Sequence, residues 1–163
     1  MKSNLGCGET ILPGYTNCDL YNPAAEMKCD VKDLPFPNNS VDEIYASHII
    51  EHFDFFEGKD TVLPEWRRVL KVGGILIIET PDLAASCKEF SRLYEAGEQQ
   101  QCVNLYSHFF STPWESAGQV HKFIYTPTQL SWTLESLFFK NIRQERAVRY
   151  IDRELVCMRF VAE

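Results

Sequence analysis

Two glycines one residue apart, Gly6 and Gly8, follow directly on the run Lys2-Ser3-Asn4-Leu5 and constrain this chain more than any other feature. A glycine turn at the end of a strand lets a ligand reach the main chain, because no Cβ stands in the way. Eleven residues after Gly8, the strand-like run Tyr15-Thr16-Asn17-Cys18-Asp19 closes on a carboxylate. A carboxylate there is placed to accept the hydroxyls of a ribose. Together they read as a nucleoside site at the carboxyl edge of a parallel sheet.

The rest of the chain supplies such a sheet. A third strand is expected over residues 26–31, with Asp30 near its end, and a fourth over 41–47, running into His48-Ile49-Ile50-Glu51-His52. Parallel neighbours normally need a dozen or more residues between them. Residues 9–14, with a bend at Pro13-Gly14, are too few for a full first crossover helix. Residues 60–70 carry Val62, Leu63, Trp66, Val69 and Leu70 at the spacing of a core-facing helix, which Gly73-Gly74 is expected to end. Ile75-Leu76-Ile77-Ile78-Glu79-Thr80 reads as a strand buried on both faces, stopped by Pro81-Asp82.

Beyond it a helix is expected over 83–96, then an aromatic, irregular insert over 99–125 on the substrate side of the sheet edge, containing Trp114. Thr126-Pro127-Thr128-Gln129 is a capping box with proline at the first helical position. Its helix would bury Leu130, Leu134, Leu137 and Phe138. Two last strands, about 141–147 and 154–161, pair as an antiparallel hairpin. Gly6, Gly8, Asp19, Asp30, Ser47, His48 and Asp82 all fall at strand ends, where open α/β sheets bind their ligands.

No repeat or linker divides residues 1–163, so one domain is expected. Sixteen Lys and Arg against 23 Asp and Glu give a net charge of −7, which disfavours nucleic acid as partner. The six cysteines (7, 18, 29, 87, 102 and 157) form no Cys-x-x-Cys pair and read as reduced thiols. With no apolar run of membrane-spanning length and no signal-peptide pattern, the expected location is the cytoplasm, away from membranes. A dinucleotide site is disfavoured, because the third glycine of its fingerprint falls on Ile11 and the acidic residue arrives too early.

Asn4-Leu5-Gly6-Cys7-Gly8, Asp30-Val31 with Leu34-Pro35-Phe36, Ser47-His48-Ile49-Ile50-Glu51-His52, and Arg68-Val69-Leu70-Lys71-Val72-Gly73-Gly74 resemble the class I S-adenosylmethionine-dependent methyltransferases. The likeness is to a small subgroup with Pro-Gly-Tyr/Trp between the first two strands, and it runs through the first half, to Asp82. It implies a Rossmann-like three-layer α/β sandwich with a mostly parallel seven-stranded sheet and an antiparallel C-terminal hairpin. The helices that such proteins place before the first strand have no counterpart in this sequence.

The resemblance implies that S-adenosylmethionine is held by Gly6, Cys7, Gly8, Asp19, Leu20, Asp30, Val31, Leu34, Ser47 and His48. Asp19 would take the ribose and Asp30 the adenine amino group, with Val31 and Leu34 against the ring. Ser47 and His48 would line the opening where the methyl faces its acceptor. A small-molecule oxygen or nitrogen acceptor is expected, with His48, His108, His121 and Tyr125 as candidates to orient or deprotonate it. An uncovered cofactor pocket favours a homodimer. The alternative is a degenerate cofactor-binding module that acts through a partner.

His48-Ile49-Ile50-Glu51-His52 also spells the His-x-x-Glu-His pattern of an inverted zinc protease. It follows a parallel strand, and the resembling methyltransferases carry the same letters without metal, so no metal is expected. Glu51 and His52 are read as a hydrogen-bond network at a helix start.

Overall fold

The most apolar runs, 41–47, 70–81 and 157–162, form the longest strands, and glycine, proline or a carboxylate ends the strands over 2–5, 16–19 and 70–81. A computed structural model of the chain describes residues 1–110, 120–148 and 157–163. Its strands are β1 (Lys2–Leu5), β2 (Thr16–Asp19), β3 (Met27–Lys28), β4 (Val41–Ser47), β5 (Leu70–Pro81), β6 (Arg143–Glu145) and β7 (Cys157–Ala162). They form one sheet in the order β3-β2-β1-β4-β5-β7-β6. β1 to β5 are mutually parallel, while β7 runs antiparallel to both β5 and β6. Strand order therefore reverses between β1 and β4, where a mostly parallel sheet opens a crevice at its carboxyl edge.

Register separates the two faces. Cys18, Leu5, Ala46, Ile78 and Phe160 are lateral neighbours across β2, β1, β4, β5 and β7. They share one apolar core with Leu63, Trp66, Leu130 and Leu134. Trp66, Leu130 and Leu134 are fully enclosed, each contributing about 1.5–3 kcal/mol through the surface it removes from water. The other face mixes apolar residues, Ile77 and Val161, with buried polar ones. Asn4 donates to Asn17 Oδ1 at 2.8 Å, and Ser47, Glu79, Arg159 and Glu145 make a second lateral row. Glu79 is buried there and accepts from Tyr45 Oη (2.7 Å), Arg159 Nη1 (2.8 Å) and the Val148 amide (2.9 Å). Burial opposes its charge, yet these donors hold its carboxyl below the ordinary 4.5.

The helices are α1 (Phe55–Glu57), α2 (Leu63–Val69), α3 (Leu83–Glu95), α4 (Gln99–Phe110) and α5 (Pro127–Ser136). β1 passes to β2 without a helix, as expected from residues 9–14. The expected helix over 60–70 starts earlier, at Phe55, and passes through a π turn at Gly58–Val62. Pro64 has no N–H to give to the preceding turn, and a wider turn absorbs that loss. It also stops at Val69 rather than at the glycines. Leu70 is extended and pairs with Val41, and Gly73-Gly74 lie inside β5. At Gly74 a side chain would crowd the Lys71 and Asp42 carbonyls.

Three other expectations are corrected. The insert over 99–125 is not irregular throughout, since residues 99–110 are α4. Cys102, Leu105 and Phe109 pack on Phe90 and Leu93 of α3, a helical stripe hidden by the aromatic density around it. Phe138 is 73% exposed with φ +65°, because α5 ends at Ser136 and Phe139 turns inward instead. β3 spans two residues, and Asp30 follows it in an isolated bridge with Asp33. Trp114 and the start of the last expected strand lie outside the described residues. The capping box at Thr126 is formed, with Pro127 at the first turn.

Candidate functional site

The first part of the site comes from β1 and β2 ending side by side. Gly6 and Gly8 adopt φ +58° and +50°, which a side chain disfavours. They differ in what stands before them: a Cβ at Gly6 would overlap the Ile49 side chain, whereas one at Gly8 would meet nothing within 4 Å. Gly6 is therefore bare for packing, and Gly8 is bare facing open space. The Gly8 amide donates to Asp19 Oδ2 at 2.9 Å, and the Tyr21 and Asn22 amides donate to Oδ1, each at 2.8 Å. Asn22 Nδ2 returns a hydrogen bond to the Gly8 carbonyl. Of the roughly four lone-pair directions on a carboxylate, backbone amides take three, which orients the group and leaves one open.

The other expected cofactor residues divide. Cys7 is fully buried, with its amide donating to the Cys18 carbonyl at 3.0 Å, so only its backbone borders the corner. Leu20 is half-buried directly after Asp19. The Asp30 side chain is 41% exposed, one oxygen accepting from the Lys32 amide at 2.9 Å and the other 3.9 Å from Lys32 Nζ. Val31 and Leu34 are core residues: the Val31 carbonyl accepts from Trp66 Nε1 at 3.0 Å, and the Leu34 amide donates to Glu65 at 2.7 Å. Ser47 is buried, 3.4 Å from Glu79 Oε2.

The second part gathers on Glu51. His48 directly follows β4 at φ +57°, its amide donating to the Glu79 carbonyl at 2.8 Å, and the chain then makes a 3₁₀ turn over Ile50–His52. Glu51 is completely buried. Its Oε2 accepts from Thr80 Oγ1 at 2.9 Å, while Oε1 lies 3.0 Å from His48 Nδ1 and 4.0 Å from His121 Nε2. The His48 contact is an ion pair without hydrogen-bond alignment, since Oε1 has no aligned donor among the described residues. The Glu51 carbonyl also accepts from the Lys122 and Phe123 amides at 2.8 and 3.2 Å, which ties segment 120–125 to the turn. Burial works against the His48 cation, but Cys157, 3.9 Å from Nε2, and Glu51 outweigh it and raise its pKa to about 10. Burial likewise favours a neutral Glu51, and the histidines overcome it and hold the carboxyl well below its usual range.

His121 and His52 meet edge to face with ring centroids 5.1 Å apart. His121 Nδ1 lies 3.0 Å from the His108 carbonyl, and His52 Nδ1 lies 3.2 Å from the Val120 carbonyl. A carbonyl only accepts, so each Nδ1 carries a proton, and in the neutral tautomer the lone pair lies on Nε2. Burial lowers the His121 pKa, and Glu51 offsets part of that.

His48 and His121 thus stand together, and His108 joins through its backbone. Tyr125 does not. It is fully buried between Phe55 and Phe123, and its hydroxyl has no hydrogen-bond partner among the described residues. Burial pushes its pKa up to about 12, as for a packing residue. The His-x-x-Glu-His spacing does not put His48 and His52 on one helical face, because His48 precedes the 3₁₀ turn. Glu51 and His52, read from sequence as a local network, turn out to be the hub; the signal available was that four histidines are few and two of them flank Glu51.

Residues 15–78 match the family model described as a methyltransferase domain. Over 88 residues the chain is 33% identical to a ubiquinone/menaquinone biosynthesis C-methyltransferase, UbiE, of Burkholderia vietnamiensis (strain G4 / LMG 22486). The match covers 54% of this chain and 30% of that relative, so the chain spans less than a third of its length. A SAM dependent methyltransferase from Archaeoglobus fulgidus superposes with a TM-score of 0.62 at 16% identity, over 99% of this chain and 84% of that one. The 1,6-didemethyltoxoflavin-N1-methyltransferase of Burkholderia thailandensis, solved with 1,6-didemethyltoxoflavin and S-adenosylhomocysteine bound, gives 0.62 at 14% identity, over 99% and 69%. At such identities the fold is what is shared. Among the described residues no helix is long and apolar enough to cross a membrane.

Proposed function

We propose that this chain, which has the fold of the class I S-adenosylmethionine-dependent methyltransferases and matches their domain model over residues 15–78, binds S-adenosylmethionine and transfers its methyl group to a small acceptor. The observation that carries the reading is the oriented Asp19 carboxylate beside the bare, open backbone at Gly8. The remaining acceptor direction of Asp19 receives a ribose hydroxyl, and the Gly6–Gly8 bend passes under the methionine portion. Asp30, exposed at the next strand end, takes the adenine amino group.

Methyl transfer from a sulfonium is an in-line displacement. The acceptor attacks carbon, the C–S bond breaks onto sulfur, and an O–H or N–H acceptor gives up its proton. Catalysis then rests on alignment and on a group able to take that proton. His48, held as a cation against Glu51, is poorly suited to be the base. His121 suits it better, with a bare Nε2 facing Glu51.

Isothermal titration with S-adenosylmethionine and S-adenosylhomocysteine tests the first half. Binding is expected in the unaltered chain, with affinity about 100-fold lower in Asp19→Ala, since charge-assisted bonds contribute about 1.5–3 kcal/mol each. No heat in the unaltered chain removes the proposal. Label transfer from the methyl-labelled cofactor to a panel of small hydroxyl and amine acceptors tests the second half. Tight binding without transfer to any of them favours a cofactor-binding module that acts through a partner.

A further inference from the structure

The chain has four histidines; the rings of three, His48, His52 and His121, gather around one buried carboxylate, and the fourth, His108, joins through its backbone carbonyl. A carboxylate oxygen of Glu51 and one ring nitrogen each of His52 and His121 lie within 4.8 Å of one another. Among the described residues no lysine or arginine reaches within 4.0 Å of Glu51, so only imidazoles balance its charge.

The groups behind these three are what metal ligands require. An imidazole that binds a metal through one nitrogen usually donates the other N–H to a carbonyl or carboxylate, which fixes tautomer and ring orientation, and a ligating carboxylate is itself hydrogen-bonded. All three supports are present here: His52 Nδ1 on the Val120 carbonyl, His121 Nδ1 on the His108 carbonyl, and Glu51 Oε2 on the Thr80 hydroxyl. Oε1, the atom nearest His121, has no aligned donor. Tetrahedral ligands about 2.1 Å from an ion stand about 3.4 Å apart, so a small inward movement of the two rings completes the geometry. Glu51 is locked by the Lys122 and Phe123 amides on its own carbonyl, while His52 is partly exposed, which gives an ion a way in past the nearly buried His121 ring.

We propose that the Glu51 carboxylate and the imidazoles of His52 and His121 bind a divalent first-row transition-metal ion, with zinc as the type, and leave a fourth position open. Two imidazoles and one carboxylate suit such an ion rather than magnesium or calcium, which prefer oxygen alone. Three protein ligands with an open position are the arrangement of sites that act on a bound molecule rather than merely brace a fold. The ion would take the Nε2 lone pair that otherwise takes a proton, so proton and metal compete for one place.

The test uses metal-free full-length chain without any methyl donor, so its failure leaves the methyl-transfer reading untouched. Equilibrium dialysis against zinc is expected to give one ion per chain, with affinity falling at least 100-fold in His52→Ala and in His121→Ala and about tenfold in Thr80→Val. His52 is partly exposed, so His52→Ala is expected to keep the native circular dichroism even if His121→Ala does not. Six cysteines offer a rival set of ligands, so the cobalt form is examined too. Visible d–d bands without a thiolate-to-cobalt charge-transfer band are expected. Zinc retained at full affinity in His52→Ala, a thiolate charge-transfer band, or no stoichiometric binding overturns the proposal.

Discussion

The Gly8–Asp19 corner and the Glu51 cluster lie along the same carboxyl edge, but they are built in opposite ways. The corner is local. Its residues span 8 to 22, its polar bonds run mainly from backbone amides to one half-exposed carboxylate, and Gly8 keeps the space before it open. The cluster is assembled from residues 48–52, 80, 108 and 120–123 around a carboxylate with no exposure at all. A half-exposed carboxylate remains partly solvated and can give its last acceptor direction to a ligand. A buried one depends wholly on its partners, because an unpaired charge in the interior is expensive. The first arrangement leaves an acceptor direction open, and the second keeps polar groups poised against one another in the interior.

Removing the two carboxylates probes that contrast most sharply. Glu51→Ala is expected to lower folding stability by about 3–5 kcal/mol, as for a buried ion pair that loses one member. Asp19→Ala is expected to lower it by only about 1 kcal/mol, because water can replace its amide contacts, while cofactor binding falls as described above. Urea unfolding of both variants measures the difference; equal losses would erase the distinction between the two regions.

The glycines provide the next largest contrast. Gly8→Ala is expected to lose about 1–2 kcal/mol from left-handed backbone alone. Gly6→Ala adds a clash with Ile49 of about 1–3 kcal/mol more. A combined Gly6→Ala, Ile49→Ala variant should be less destabilised than the sum of the single changes, which a double-mutant cycle reads directly.

A pH series carries the comparison to the sheet face that buries Glu79. The folded pKa of Glu79 lies below its unfolded value near 4.5, so the unfolded chain binds more protons on the acid side. Its contribution is present above about pH 4.5 and is lost as pH falls toward the folded pKa. Urea stability of the unaltered chain should therefore fall more steeply below that pH than stability of Glu79→Gln, and parallel slopes would contradict this. Tyr125→Phe should have the smallest effect. Deleting a buried hydroxyl that has no partner among the described residues changes stability by about 1 kcal/mol or less in either direction, and methyl transfer should survive. Loss of transfer without loss of fold would return Tyr125 to the catalytic group.

Legibility in the sequence followed the same division. The early strands, the missing first crossover helix and the Gly8–Asp19 corner were readable because each depends on residues close together: glycines after a short strand, a carboxylate after the next, ten residues from Gly6 to Tyr15 where a helix would need more. α4 was misread because aromatic residues crowd a stripe that Cys102, Leu105 and Phe109 nonetheless keep at helical spacing. The end of α2 was misplaced because Gly73-Gly74 look like a helix stop, whereas pairing of Leu70 with Val41 had already pulled the backbone into the sheet. Tyr125 looked like a substrate contact by residue type, and burial placed it in the core.

By itself the sequence determined most of the strands and the bare corner at Gly8 and Asp19, because strand periodicity, turn chemistry and the lack of a Cβ act over a few residues at a time. Only the tertiary structure decided that His121, from far along the chain, comes within 4.0 Å of Glu51 while Tyr125 is turned into the core. Proximity between distant segments is set by how helices and loops pack around the whole sheet, and no local pattern of residues records it.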